Sequence, residues 1–361
     1  MRLFFDARFI RTDRHDGISR YSFELAQRIV EYHDDVTFIV HSDEQLVFLP
    51  NGASTVKLNH PESAREAFSG RSLRRFKPDV VFSPMQTLRP HRSYKLILTL
   101  HDTIYYRHKT PPANHPAWVR VGWRLFHATP IPQRIALNSA DHVMTVSEKS
   151  KKEIQDMKLT TRPVSVAYNA PGDLARLLKQ PVKTDRVDNL VYMGSFVPYK
   201  NVETLVRATK YLPDKTLHLL SKISPDQREK IEQKISSTCG KVVFHDGVSD
   251  QKYAELLANN AALVSASRDE GFGLPLVEAM TLGVPVVVSD EPAHREVAGQ
   301  AALYFKTTSA KNLADKVIQL EDNKLRSKLV QAGKKQAAKF SWDDSAKKLV
   351  EIAKELHHGK K

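Results

Sequence analysis

Short apolar runs alternate along this chain with stretches whose apolar residues recur at helical spacing. The opening MRLFFDARFI reads as a first strand, followed by GISRYSFELAQRIVEY (17–32) as an amphipathic helix. VTFIV (36–40), DVVFSP (79–84), KLILTLHD (95–102) and HVMTVS (142–147) read as further strands. Ser147 then starts a helix with Glu148 in its first turn. Around 168–188 the texture turns polar, NAPGDLARLLKQPVKTDRVDN, and a second series follows. Its strands are LVYMGS (190–195), TLHLLS (216–221), KVVFHDG (241–247), AALVSAS (261–267) and VPVVVSD (284–290), with a helix KNVETLVRATKYL opening at Lys200. Strand, turn, helix and strand in both series predict two doubly wound parallel sheets covered by helices on both faces. A chain of 361 residues agrees with two domains. Joined by a linker, they would face a central cleft at their C-terminal strand edges, where open α/β folds bind ligands.

Composition adds a preference for anions. Lys and Arg number 55 against 41 Asp and Glu, a net charge of +14. Such an excess suits nucleic acid, anionic lipid or phosphorylated substrates. No zinc finger, RNA-binding aromatic signature or isolated basic helix supports nucleic acid, which is not expected as a partner. The excess is uneven. Thr103 to Ala140 holds no acidic residue, yet carries Arg107, Lys109, Arg120, Arg124 and Arg134 among Tyr105, Tyr106, Trp118, Trp123 and Phe126. Interleaved cations and aromatics suit a membrane surface; a solvated face over core aromatics explains the same pattern. RSLRRFKPD (71–79) is a second basic knot. The single Cys239 leaves no internal disulfide, and nowhere do eighteen apolar residues run together to span a bilayer. The N-terminus reads as a strand rather than a signal peptide, so a cytoplasmic protein, peripheral at the inner membrane face, is expected.

The most informative stretch is DEGFGLPLVEAMTLGVPVVVSD (269–290). A strand ends near Ser267, a turn passes Gly271 and Gly273, and Pro275 fits the first turn of a helix. That helix start offers amides to an anion. Glu278, one turn inside, could accept hydrogen bonds from vicinal hydroxyls such as those of ribose, and Glu270 would meet another part of an elongated ligand. Glycines for tight packing and glutamates complementing the helix dipole remain the plainer alternative. VYMGSFVPYKN supplies a second phosphate-suited turn: Gly194 and Ser195 follow a strand, and Lys200 and Asn201 open a helix. Two such turns with Glu278 point to a nucleoside diphosphate.

Gly194 to Asn201 and Glu270 to Glu278 resemble the donor site of the retaining glycosyltransferase family 4. Its GT-B architecture is two Rossmann-like domains. The resemblance covers nearly the whole chain, with DGISRYSFELA near the N-terminus and FSWDDSAKKLVEIAKEL (340–356) resembling the C-terminal helix that crosses back. It implies an acceptor-side domain over 1–170 joined by 345–361, and a nucleotide-sugar domain over 171–344. It implies that Glu278 holds the donor ribose and Glu270 the C3 and C4 hydroxyls of the sugar. The amides around Phe272, Gly273 and Leu274, beside Gly271, would assist. Lys200 matches the pyrophosphate lysine, Gly17 a glycine whose backbone lies against the diphosphate, and Val248 a position that meets the base. His101 matches a histidine beside the donor sugar, where it could bond the C6 hydroxyl or stabilise charge. Two positions depart from the family: Ser195 stands where an arginine is common, with Arg268 a substitute, and the paired glycines of the N-terminal loop are reduced to Asp16 and Gly17. The resemblance further implies a metal-independent hexosyltransferase acting with retention, and the chain has no Asp-x-Asp motif. GDP-mannose is the expected donor and a lipid-linked or envelope glycan the acceptor, with no cofactor. A UDP-sugar enzyme with a soluble acceptor, or a non-catalytic sugar-nucleotide or polyanion binder, are the alternatives.

Overall fold

Strands rich in Val, Ile and Leu without polar alternation must be covered on both faces, and both sheets of this chain are wholly parallel. The structure, a computed structural model, describes residues 1–13, 17–88, 90–91, 93–110, 117–233, 235 and 240–359, without the side chains of 117–119. The chain forms two units, Met1–Asn169 with Ser341–Lys361, and Ala170–Phe340.

The first unit contains β1 (Leu3–Asp6), β2 (Val36–Val40), β3 (Ser54–Lys57), β4 (Val80–Ser83), β5 (Lys95–Thr99), β6 (His142–Thr145) and β7 (Val164–Val166). They lie in the order β3-β2-β1-β4-β5-β6-β7, which reverses between β1 and β4. Phe5 lies between Phe38 and Phe82, at ring distances of 5.6 and 5.1 Å, and all three are buried. The helix Trp342–His358 belongs to this unit and packs on the helix Gly17–Ile29. Its side chains show why it stays there. Tyr32 donates to Asp343 at 2.9 Å, Ser345 donates to the Tyr168 carbonyl at 2.7 Å, and Trp342 meets the Tyr21 ring edge-on at 6.0 Å.

The second unit contains β8 (Asn189–Tyr192), β9 (Thr216–Leu219), β10 (Lys241–Phe244), β11 (Ala261–Ser265), β12 (Val286–Ser289) and β13 (Ala302–Phe305), in the order β10-β9-β8-β11-β12-β13. The order reverses between β8 and β11, whose following turns are those around Gly194–Lys200 and Arg268–Gly273. A reversal of strand order is where open α/β sheets bind ligands, at the C-terminal strand ends from which both turns leave.

Three strands escape the sequence pattern: β3, β7 and β13. All are sheet edges; β3 (STVK) and β7 (VSV) carry no continuous apolar run, whereas β13 (ALYF) is apolar and was passed over. Lys200 also falls outside its expected helix. Pro198–Lys200 is a single 3-10 turn, Asn201 adopts left-handed φ 54°, and the helix begins at Val202. The Asn201 amide explains the break: it donates to the Ala266 and Thr307 carbonyls at 3.1 and 2.9 Å and accepts from Thr204 at 2.9 Å.

Candidate functional site

At the second unit's switch point the two sequence-predicted turns meet. Lys200 Nζ donates to both oxygens of Glu270, at 2.6 and 2.8 Å, and Ser267 Oγ donates to Glu270 Oε1 at 2.7 Å. Burial alone would push the Glu270 carboxyl up, but Lys200 and, more weakly, His294 hold it below its ordinary value. Glu270 is thus an ionised acceptor. The Arg268 amide donates to the Tyr199 carbonyl at 2.8 Å, locking one turn to the other. Lys200 has three donors, two of them committed to Glu270, and its ammonium sits 5.6 Å from the Tyr199 ring centroid.

The helix Leu274–Leu282 starts from Gly273, which at φ 99° has a backbone conformation closed to most side chains. Pro275 occupies its first turn, so no amide donor is wasted there. Glu278 sits one turn in and is only 4% exposed, so an ionised carboxylate there requires hydrogen bonds or a counter-charge to offset its burial. Gly271 and Phe272 are buried and Leu274 half-buried, the Phe272 ring meeting Phe340 edge-on at 5.3 Å. Beneath the turn, Ser289 Oγ donates to the Ser267 carbonyl at 2.5 Å, and buried His294 lies 3.2 Å from Ser289 Oγ. Sequence reasoning gave Ser267, Ser289, His294 and the side chain of Asn201 no role. Only Ser267 carried a signal, lying at a strand end three residues before Glu270.

Gly194 follows β8, and its amide donates to Ser221 Oγ at 3.2 Å. A β-carbon there would come 2.7 Å from the Tyr192 hydroxyl, which itself donates to the Ser195 carbonyl at 2.7 Å. Internal packing therefore already requires glycine at 194. Ser195 is exposed and brings no charge, whereas exposed Arg268 reaches Asn201 Oδ1 with Nη2 at 3.4 Å. Half-buried Val248 follows Asp246 (φ 52°) and Gly247 (φ 100°) at the end of β10.

Gly17 and His101 belong to the first unit. Gly17 is exposed at the start of its helix, and a β-carbon there would meet nothing within 4 Å. Asp16 lies outside the described residues. His101 follows β5. Its Nε2 donates to the Pro84 carbonyl at 2.9 Å, and the ring stands edge-on to Tyr21 at 4.8 Å.

The acid-free stretch divides. Arg107 pairs with Glu153 at 3.0 Å, and Arg134 donates to the Lys158 and Met157 carbonyls at 3.0 and 2.9 Å, so both cations are used internally. Lys109 and Arg124 are exposed and Arg120 half-buried. Trp123 turns inward, its ring 5.0 Å from Tyr105 and 4.2 Å from His127; Phe126 packs on His127 at 5.0 Å. The Trp118 side chain lies outside the described residues. In the second basic knot, Arg75 lies 4.6 Å over the Phe76 ring. Among the described residues no helix is long and apolar enough to cross a membrane, and no group of three or more His, Cys, Asp or Glu is placed to hold a metal.

Comparison with known proteins adds to this geometry. The family model for Glycosyltransferase Family 4 matches residues 15–170, and that for Glycosyl transferases group 1 matches residues 176–336. The chain is 27% identical over 382 residues to the O-antigen chain mannosyltransferase B of Escherichia coli, covering 94% of this chain and 96% of that one. It is 28% identical over 273 residues to the MMP alpha-(1->4)-mannosyltransferase of Mycolicibacterium hassiacum, covering 72% and 65%. The fold is shared with the solved sucrose-phosphate synthase of Thermosynechococcus elongatus, at TM-score 0.71 and 16% identity over 99% of both chains.

Proposed function

Since the chain belongs to the family 4 glycosyltransferases of GT-B fold, we propose that it transfers mannose from GDP-mannose, with retention, to a lipid-linked or envelope glycan at the inner membrane face. The observation that carries this reading is the Lys200–Glu270–Ser267 cluster beside the buried Glu278 at the second unit's switch point. The mannosyl choice is supported by the relatives named as mannosyltransferases. Glu278 accepts from the ribose hydroxyls, and ionised Glu270 accepts from hydroxyls of the sugar. As the bond from C1 to the diphosphate breaks, negative charge grows on the leaving oxygen. Lys200, Arg268 in place of the cation absent at Ser195, and the amides from Gly271 to Leu274 stabilise it without a metal. The backbone at Gly194 approaches the same phosphates and Val248 meets the base; for Gly17 and His101, in the first unit, the family resemblance implies contact with the diphosphate and with the sugar's C6 hydroxyl. The acceptor oxygen attacks C1 from the face the diphosphate leaves, and its proton passes to the departing phosphate oxygen.

Hydrolysis of GDP-mannose, UDP-glucose, UDP-GlcNAc and UDP-galactose, each measured with wild type and Glu278→Ala, tests this. GDP-mannose should turn over fastest, and the variant should bind it about ten- to a hundredfold more weakly, the range for losing charge-assisted hydrogen bonds. Preference for a UDP-sugar would overturn the mannose assignment; undiminished affinity in Glu278→Ala would overturn the ribose contact.

A further inference from the structure

The helices Ala117–Phe126 and Ile131–Asn138 turn aliphatic side chains outward. Val121 is 53% exposed, Leu125 70%, Ile131 56% and Ile135 64%. Each pair is four residues apart, one turn of a helix, so each helix presents a strip rather than a scatter. Trp123 and Phe126 are half-buried and pack on Tyr105 and His127, so they stand apart from this strip. Exposed Arg124 lies beside Val121 and Leu125, whereas Arg120 is half-buried with its Nε shut off from solvent, and no carboxylate lies anywhere from 103 to 140. The contrast within the same unit is Val47, 80% exposed, which sits in a turn beside Asp43 and Glu44.

Aliphatic strips beside an exposed cation, with carboxylates excluded, have the chemistry of an interface between hydrocarbon and anionic headgroups. We infer that the outer faces of these two helices, through Val121, Leu125, Ile131 and Ile135 with Arg124, dock the protein on an anionic bilayer. This deepens the membrane reading above and rests on it. The aliphatic side chains enter the headgroup boundary and the Arg124 guanidinium pairs with phosphate. Arg107 and Arg134 take no part, being spent on Glu153 and on the end of the helix Glu148–Asp156.

Sedimentation with phosphatidylcholine vesicles, with and without phosphatidylglycerol, tests the assignment at low and high salt. Wild type should pellet only with the anionic vesicles and be partly released by salt. Arg124→Glu should weaken binding about fivefold or more, the share of one cation. Leu125→Asn with Ile135→Asn leaves the charge unchanged and should weaken binding about tenfold, whereas Val47→Asn should change nothing. Wild type remaining in solution at low salt, or Leu125→Asn with Ile135→Asn pelleting like wild type, would overturn the proposal. So would conversion of a dimer to a monomer by that pair without loss of vesicle binding, which would make the surface a contact between copies. Donor hydrolysis in the same samples separates the two readings. The surface variants should keep it, and Glu278→Ala should lose it while still pelleting, so either reading can fail alone.

Discussion

The second unit's switch point and the first unit's paired helices handle charge in opposite ways. At the switch point each ion is matched inside the protein: Lys200 holds Glu270, Ser267 supports that carboxylate, and Asn201 pins the turn. On the helices Ala117–Phe126 and Ile131–Asn138, Arg124 and four aliphatic side chains face outward over a stretch without carboxylates. The difference is one of partner. A crevice for a small charged ligand keeps its ions neutralised and geometrically fixed until the ligand exchanges for them, so it needs buried partners. A docking face gains from being incomplete, because its counter-charges arrive with the surface it meets.

The sharpest way to break that contrast is to remove the shared cation. Lys200→Ala deletes the charge assigned to the leaving diphosphate and should lower turnover about a hundred- to a thousandfold, as loss of an electrostatic stabiliser does. It also leaves Glu270 buried beside fewer compensating charges, so its pKa should rise. Vesicle binding should be untouched. Excess EDTA should leave wild-type turnover unchanged; reversible loss restored by magnesium would take leaving-group stabilisation away from Lys200 and give it to a metal.

A smaller effect compares one glycine from each unit. Gly194→Ala forces a β-carbon to within 2.7 Å of the Tyr192 hydroxyl and should destabilise the fold by about 1–3 kcal/mol, the usual cost of overpacking. Tyr192→Phe in the same chain should restore only part, since a ring carbon would remain at 3.0 Å. Gly17→Ala meets nothing within 4 Å and should shift stability by about 0.5 kcal/mol or less. Urea titration reads all three, and a Gly194→Ala variant as stable as wild type would sink the steric argument.

Legibility in the sequence follows the same division. Gly194, Lys200, Glu270, Gly273 and Glu278 lie in two local stretches whose turns are dictated by glycine, proline and strand ends, so short-range pattern was enough to bring them into view. Central strands were legible for a similar reason, being apolar on both faces. The edges β3 (STVK) and β7 (VSV) were not, because they carry no such run; β13 (ALYF) was passed over although it is apolar, and the edge β10 (KVVF) was read. The use of Ser267 by Glu270, and of Asn201 by Ala266 and Thr307, depends on neighbours in space, and no spacing rule marks it. The stretch 103–140 misled at side-chain level. Aromatic residues drew attention as the membrane contacts, yet Trp123 and Phe126 fill the underside of their helix while Val121 and Leu125 point out. Which face of a short helix turns outward is decided by what it packs on.

A last effect, also of a few kcal/mol at most, sharpens the account of charge in the second unit, through a pair of histidines away from the switch point. His218 on β9 and His245 after β10 approach at 3.0 Å between Nδ1 and Nε2. Asn189 donates through its amide nitrogen to the Asn259 carbonyl at 2.7 Å, so its oxygen faces His218 Nε2, 3.0 Å away, and must accept a hydrogen bond from Nε2–H. His218 Nδ1 is then the acceptor for His245 Nε2–H, and adding a proton there would set two N–H groups against each other. Burial, then His245, Lys241 and Lys252, push His218 down to about 4. The ordinary value near 6.5 returns on unfolding, so below neutrality the unfolded chain binds more protons and stability drains away as pH falls from about 6.5 towards 4. Allowing for partial solvent screening, the loss should be about 1–2 kcal/mol. His245→Ala removes the opposing N–H and should flatten this slope, as measured by urea titration at pH 7 and pH 5. A slope unchanged in that variant would mean that burial alone, rather than the pairing, depresses His218.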